Sequence, residues 1–89
     1  MTYDEFFQRN SELAVEFSRY LLSHPELDRS IPEGVTLVFV PEYDTELARF
    51  NLEMAEQICQ EGGKVVYVKI SGLRPEAVSR LEGIAIEQQ

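Results

Sequence analysis

The stretch VTLVFVPEYDTELARFNLEMAEQICQEGGKVVYVKI, residues 35–70, decides the fold. Residues 35–40 are apolar on both alternating faces and rich in β-branched side chains, which predicts a central strand that is buried on both sides. Residues 64–70 have the same character and predict a second strand. Because about two dozen residues separate the two, we expect them to pair in parallel through a right-handed crossover.

The crossover itself is predicted to be a helix over residues 45–61. Asp44 suits the N-cap, since its carboxylate can accept a free backbone N–H of the first turn. The glycines at 62–63 suit a left-handed helix end. Apolar side chains cover roughly 200° of this helix, which is more than one packing partner needs. A side of small residues fits a sheet (Ala48, Ala55, Cys59), and a side of large residues fits another helix (Leu47, Phe50, Met54).

A long helix is predicted upstream, over residues 3–23. Thr2 and Glu5 form a capping box at its start, and Pro25 predicts that the helix ends at His24. Its apolar side chains recur on one broad face, while polar side chains, Glu16 among them, occupy the other. Residues 24–34 form the connection to the first strand.

Downstream of the second strand the sequence predicts a short helix from Pro75 to Leu81, ended by Gly83. Residues 84–86 fit either a third short strand or a packed tail, and we favour the strand. The chain is therefore predicted to be one α/β domain over residues 1–89, with element order αβαβα(β). Its two- or three-stranded, mainly parallel sheet surrounds one strand–helix–strand unit, and the long N-terminal helix packs alongside.

The charge balance limits the classes of partner that the protein is expected to bind. Eight basic residues stand against sixteen acidic ones, a net charge of -8. No basic stripe forms, which argues against direct nucleic-acid binding and against anionic membrane surfaces. Solubility alone accounts for such a balance, and a basic protein partner also fits it.

Cysteine content and hydropathy predict the compartment. The single cysteine, Cys59, excludes an intrachain disulfide and a cysteine-based zinc site. No apolar run approaches the ~20 residues of a membrane span, and the first residues lack the apolar core of a signal peptide. We therefore expect a cytoplasmic protein.

Each long helix carries one asparagine near the centre of its apolar face, Asn10 on the first and Asn51 on the second. A buried amide without partners costs on the order of 1–3 kcal/mol, so both should be hydrogen-bonded. We expect them to face each other, or to reach nearby backbone, and to fix the register of the helices as a lone polar core residue can. The alternative is that they line a shared polar pocket.

The carboxyl ends of the two strands form a second candidate site, because open α/β sheets bind ligands there. The polar candidates in these loops are Glu42, Tyr43, Asp44, Ser71 and Arg74. Arg74 would anchor an anion, and Tyr43 would offer a stacking surface. The structural alternative is that Asp44 only caps a helix and that Arg74 pairs with Glu42 or with solvent.

No catalytic, metal or cofactor signature is present. His24 is the only histidine and suits a helix end, while Cys59 lies inside a predicted helix. Glu53 and Glu56 share a helix face, but Arg49 lies four residues before Glu53, a spacing typical of an ion pair on a solvent-exposed face. Without a nucleophile–base pair, a metal set or a glycine-rich phosphate loop, an enzyme is the least favoured class, and no cofactor is expected.

Three segments carry a resemblance: EFFQRNSELAVEFSRYLLSHPEL at 5–27, IPEGVTLVFVPEYD at 31–44 and FNLEMAEQICQEGGKVVYVKI at 50–70. Together they resemble a family of small prokaryotic proteins that is known as a domain of unknown function. The specific parts are the stretches around Asn10 and Asn51. The resemblance implies a small α/β protein of bacterial or archaeal origin with no assigned activity, so it supplies no catalytic residues.

Two functions remain from different classes. The first is a non-enzymatic acidic protein-interaction module, homodimeric, because the second long helix has more apolar surface than one sheet face uses. The second is a small-ligand binder or regulator that uses the loops at the strand ends.

Overall fold

The structure, a computed structural model, describes residues 2–74 and 81–88. In chain order its elements are α1 (Tyr3–Ser23), α2 (Pro25–Ser30), β1 (Thr36–Pro41), α3 (Thr45–Gln60), β2 (Val65–Leu73) and β3 (Leu81–Gln88). The predicted long helices and the first two strands are confirmed to within a few residues. The chain is therefore a mixed α/β protein, as the sequence predicts.

Local chemistry explains where the helices begin and end. The Thr2 hydroxyl accepts the Glu5 backbone N–H at 3.2 Å, which is half of the expected capping box. Asp44 caps α3 by accepting the Leu47 N–H at 3.3 Å. At the other end of α3, Gly62 has a φ of +89°, and the Gly63 N–H donates to the Ile58 carbonyl at 2.9 Å. This is the left-handed helix end that the glycine pair predicts.

The sheet has the order β1-β2-β3 and is mixed, which corrects the prediction of a mainly parallel sheet. β1 and β2 are parallel, in the register Phe39 opposite Val68, as expected of a strand–helix–strand unit. β2 and β3 are antiparallel. The chain from Leu73 to Leu81 is shorter than the dozen or so residues that a parallel crossover needs, so the third strand must return in the opposite direction.

β1 lies at an edge of the sheet, and β2 is the central strand. The prediction that β1 is central was wrong. Apolar side chains on both faces of a strand indicate that both faces are covered. They do not indicate whether a neighbouring strand lies along each of its two edges. Helices cover both faces of β1, and β2 is its one neighbouring strand within residues 2–74 and 81–88.

Two apolar clusters fill the space between helices and sheet. On one face, α1 packs its buried Leu13 and Phe17 against the sheet, and the Phe17 ring meets the Phe39 ring edge-on with centroids 5.8 Å apart. On the other face, Ala55 of α3 packs against Val38 and Val65. This second contact confirms that the small side of α3 faces the sheet.

The C-terminal segment departs from the prediction. β2 continues through Ser71 and Gly72 to Leu73, and β3 begins at Leu81. The predicted short helix over 75–81 lies outside the described residues except for Leu81, which belongs to the strand. Residues 84–86 are part of a strand, as favoured. Gly83 lies within β3 with a φ of +59° instead of ending a helix.

Candidate functional site

The helices α1 and α3 meet beside the outer edge of β1. The Phe6 and Phe50 rings stack with centroids 4.0 Å apart and planes inclined by 13°. Arg9 Nη1 donates to Asp44 Oδ2 at 2.8 Å. Phe50 of the large side of α3 thus packs on another helix, as its sequence predicts, and Leu47 lies in the core cluster that α1 shares with the sheet, whereas Met54 stays 41% exposed.

Asn10 and Asn51 form a reciprocal amide pair between these helices. The Asn10 Nδ2 donates to Asn51 Oδ1 at 2.9 Å, and the Asn51 Nδ2 donates back to Asn10 Oδ1 at 2.8 Å. The Asn51 Nδ2 also donates to the Phe39 backbone carbonyl at 2.9 Å. Both hydrogens of the Asn51 amide are therefore used, which suits a side chain that is only 4% exposed. The structure brings both expected kinds of partner to this pair at once.

The Phe39 carbonyl is an edge group of the sheet. The Thr36 N–H donates to the Lys64 carbonyl at 2.9 Å, and the Glu42 N–H donates to the Ile70 carbonyl at 2.8 Å. Because backbone groups alternate in direction along a strand, the even-numbered residues of β1 face β2 and the odd-numbered ones face outward. Leu37, Phe39 and Pro41 therefore direct their backbone away from the sheet. Proline has no N–H to lose there, which explains how Pro41 is accommodated inside a strand.

Next to the asparagine pair, the two helices leave a groove of about 290 Å³ along the first half of β1. Its α1 wall consists of Phe7, Asn10, Ser11 and Ala14. Its α3 wall consists of Asn51, Met54 and Ile58. Residues 36–39 of β1 form the floor. The described residues that line the groove carry no charge, and most of its surface is apolar.

Exposed apolar side chains stand on both walls of this groove. Phe7 is 65% exposed on α1, and Met54 is 41% exposed on α3. They lie beside the Leu37 backbone, whose outward groups have no hydrogen-bond partner among the described residues. Apolar walls around a few convergent polar groups are the usual composition of a binding site. This groove, which we call the edge groove, is the candidate functional site.

The predicted strand-end candidates do not converge in one place. Glu42 Oε1 accepts the Ser71 hydroxyl at 3.2 Å. Asp44 is shared between the α3 cap and Arg9. The Arg74 Nε pairs with Glu82 Oε1 at 3.2 Å, whereas the sequence favoured Glu42 or solvent as its partner. Ser71 lies inside β2 and not in the loop where the sequence placed it, because the pairing with β3 extends that strand.

Tyr43 and Asp44 border a smaller pocket of about 180 Å³ that also involves Arg9 and Leu73. Its volume is well below that of the edge groove. Ligand binding at the strand ends stays a prediction.

His24, the only histidine of the sequence, contacts its own helix. His24 Nδ1 lies 2.9 Å from the Tyr20 carbonyl, and its ring stacks on the Tyr20 ring. Within residues 2–74 and 81–88, no group of three or more His, Cys, Asp or Glu side chains is placed to hold a metal ion. Over the same residues, no helix is both long and apolar enough to cross a bilayer.

Two titrating groups of β2 lie outside the edge groove. Burial raises the pKa of the Tyr67 phenol, and the nearby Cys59 and Glu56 add to the effect. A hydrogen bond to Glu87, followed by the charge of that carboxylate, raises the pKa of Lys69. The Lys69–Glu87 ion pair measures 2.8 Å. Both shifts favour the protonated forms in the folded protein.

Comparison with protein-family models matches residues 5–84 to one family, described as a family of unknown function. The chain belongs to DUF5647. This confirms the resemblance to a domain of unknown function that the segments around Asn10 and Asn51 indicate. No curated protein and no solved structure matches the chain.

Two features of this DUF5647 chain do not follow from its sequence patterns. The edge groove was not predicted because its floor is an edge of β1 that has no neighbouring strand among the described residues, and no pattern along β1 reveals this. Glu16 was assigned to the solvent face of α1, but its side chain is buried and lies 3.4 Å from Arg19. The only available signal for Glu16 is Arg19 three residues later, a spacing that brings side chains together on a helix.

Proposed function

We propose that this protein is a non-enzymatic, acidic interaction module that binds a protein partner in the edge groove. One observation carries the proposal: an uncharged, largely apolar groove lies over a strand edge at which the outward groups of Leu37 have no hydrogen-bond partner among the described residues. Phe7 and Met54 stand exposed on its two walls. Exposed strand edges are usually blunted by charge, proline or cover, because they invite pairing. Leu37 carries neither charge nor proline, and among the described residues no group bonds to its outward backbone between the two helices.

The charge distribution supports a protein partner of opposite sign. The net charge is -8. In the described part of the chain, several of the basic side chains are already paired with carboxylates: Arg9, Arg19, Lys69 and Arg74. The remaining field is strongly acidic and would speed encounter with a basic partner. The proposal includes the cytoplasmic location that the sequence predicts.

Affinity purification with matched variants tests the groove. Met54 and Leu52 lie on the same helix and are similarly exposed, 41% and 44%, but only Met54 lines the groove. Met54→Lys and Leu52→Lys change the net charge equally, so long-range attraction stays matched. We expect partner recovery to fall with Met54→Lys and to persist with Leu52→Lys. Equal recovery with both variants would remove the groove from the proposal.

Self-association is a separate part of the proposal. Val15 and Leu22 leave further apolar surface exposed on α1, outside the groove. The two positions are seven residues apart, so they lie on the same face of the helix, and a contiguous apolar patch there would fit an interface between copies. Size-exclusion chromatography with light scattering at micromolar concentration should show a homodimer, which Leu22→Lys weakens. A strict monomer would refute this part and leave the groove untouched.

A second candidate function, small-ligand binding at the strand ends, rests on the pocket beside Tyr43 and Asp44. Its small volume implies that a second chain would have to complete it. Thermal-shift screening against nucleotides and metabolites checks this function, since a ligand that binds only the folded state raises the melting temperature. The absence of any shift at millimolar ligand would count against it.

A further inference from the structure

The unpaired backbone in the edge groove has a definite chemical complement. Leu37 directs both its N–H and its carbonyl outward, and Phe39 directs its N–H outward. None of these three groups has a hydrogen-bond partner among the described residues. Donor and acceptor groups at this spacing match the backbone of one extended chain.

We infer that the edge groove binds an extended segment of a partner protein, which joins the sheet as an additional strand along the first half of β1. The inference rests on the proposed function and specifies how the partner binds. The segment would pair with residues 35–39 and stop there, because the Asn51 amide already occupies the next outward carbonyl, that of Phe39. The asparagine pair therefore limits how far the added strand can extend along β1.

The two walls determine the side chains of this segment. Successive side chains of a strand point to opposite faces. A strand lying on the edge of β1 would therefore direct alternate side chains toward the α1 wall, at Phe7 and Ala14, and toward the α3 wall, at Met54 and Ile58. Apart from Ser11 and the asparagine pair, both walls are apolar. The bound segment should thus be a continuous apolar run of about five residues, rich in β-branched side chains.

Charge determines what flanks the run. The described groove lining is uncharged, whereas the chain as a whole carries a net charge of -8. Lys or Arg residues on either side of the apolar run would lie outside the groove, in the acidic field. The partner is therefore an extended apolar segment with basic flanks.

A second copy of this chain fits the groove poorly. Its own β1 edge is recessed between α1 and α3 in the same way, so two recessed edges cannot come within hydrogen-bond distance. Its other edge strand, β3, contributes Glu87 and Glu82 to ion pairs with Lys69 and Arg74, and these charged groups would have to approach an uncharged groove. A second copy also brings a further net charge of -8. Like charges at an interface oppose association.

Selection from a phage-displayed library of random dodecapeptides tests the inference. Peptides retained by the wild-type protein and released by Met54→Lys should share an apolar, β-branched run without proline between Lys or Arg residues. In fluorescence polarisation, a selected peptide should bind at least about tenfold more weakly to Met54→Lys. Its affinity for Leu52→Lys should stay within about twofold of wild type. Peptides that bind both variants equally would overturn the proposed function and the inference together.

Backbone methylation separates the binding mode from the binding site. Methylating the peptide nitrogens one at a time should weaken binding at alternate positions only, because only alternate N–H groups face β1. Groove-dependent binding without this alternation, or a selected pattern of apolar residues three and four apart, would overturn the added strand and leave the groove as a protein-binding site. A dimer that Met54→Lys dissociates would show that a second copy fills the groove, and would also overturn the inference.

Two measurements on the protein complete the test. Leu37→Pro removes an outward N–H that the sheet does not use, as Pro41 already does, so the variant should fold and lose peptide binding. Should it fail to fold, hydrogen exchange on the wild type replaces it. The amides of Leu37 and Phe39 should exchange faster than those of Val38 and Val40, which face β2, and bound peptide should slow the Leu37 amide. An unchanged Leu37 amide in the saturated complex would refute strand addition.

Discussion

Replacing Asn51 with alanine should lower the free energy of unfolding by about 3 kcal/mol, because three hydrogen bonds of about 1 kcal/mol each are lost. Replacing Asn10 should lower it by about 2 kcal/mol, since Asn51 keeps its bond to the Phe39 carbonyl. The double variant should resemble the Asn51 variant. A double-mutant cycle should therefore give a coupling energy of about 2 kcal/mol between the two side chains.

Urea denaturation followed by circular dichroism measures all three values. For a domain of this size, each kcal/mol corresponds to a melting-temperature change of about 4–8 °C. Gln8→Ala and Gln57→Ala provide the control cycle, because these exposed amides lie on the same two helices and should be additive. Additive effects of the asparagine variants, or an Asn10 variant as unstable as the Asn51 variant, would refute the reasoning.

A leucine at position 51 tests whether the pair serves specificity. Leucine is close to asparagine in size and replaces polar burial by apolar burial, so stability can recover even though the hydrogen bonds are gone. We expect the Asn51→Leu variant to lose the fixed register of α1 against α3, seen as broadened amide resonances in residues 3–14. A more stable variant with unchanged spectra, association and partner binding would show that neither specificity nor function needs the pair.

Two further predictions concern the sheet. Gly83→Ala should be more destabilising in thermal denaturation than Gly34→Ala: both glycines have positive φ, which costs an L-residue about 1–2 kcal/mol, but only at Gly83 does an added Cβ collide with the Ser71 hydroxyl. Equal losses would show that the sheet absorbs the collision. Above about pH 10, wild-type stability should fall relative to Tyr67→Phe, because the raised pKa of Tyr67 favours the protonated fold and that contribution is lost as pH rises through the folded pKa. Because the pKa of Lys69 is also raised, wild-type stability should likewise fall relative to Lys69→Met as the pH rises. If wild-type stability rose with pH relative to either variant, the raised pKa of that residue would be contradicted.

Sequence patterns predict the faces of this sheet well and its edges poorly. Alternation and β-branching locate both β1 and β2, and helix periodicity assigns the small side of α3 to the sheet. The order of strands depends on which edge finds a neighbour. β1 would be central only if β3 paired with its outer edge. β3 pairs with β2 instead, because only a short stretch of chain separates the end of β2 at Leu73 from the start of β3. Distant pairing of this kind leaves no period in the sequence.

The candidate site residues likewise fall into those that the sequence predicts and those that it does not. Asn10 and Asn51 are recognisable because each interrupts an apolar helix face, and a buried amide needs partners. The strand-end residues looked equally promising, since loops at strand ends often bind ligands. Their partners depend on how far β2 extends: pairing with β3 draws Ser71 into the sheet, and Glu82 then meets Arg74. The sequence therefore identifies Asn10 and Asn51, whose burial follows from the pattern of their own helices. It does not identify the partners of the strand-end residues, which depend on a distant strand.

The Asn51 side chain does at Phe39 what a neighbouring strand would do. It donates an amide N–H to an outward carbonyl at 2.9 Å, the distance of an ordinary sheet hydrogen bond. It does so from a helix, and Asn10 fixes its orientation from another helix. A polar pair that served only to hold α1 against α3 would have no need of the strand. Because the pair occupies the Phe39 carbonyl, while the outward groups of Leu37 have no hydrogen-bond partner among the described residues, the same interaction would mark the limit of the added strand that we propose.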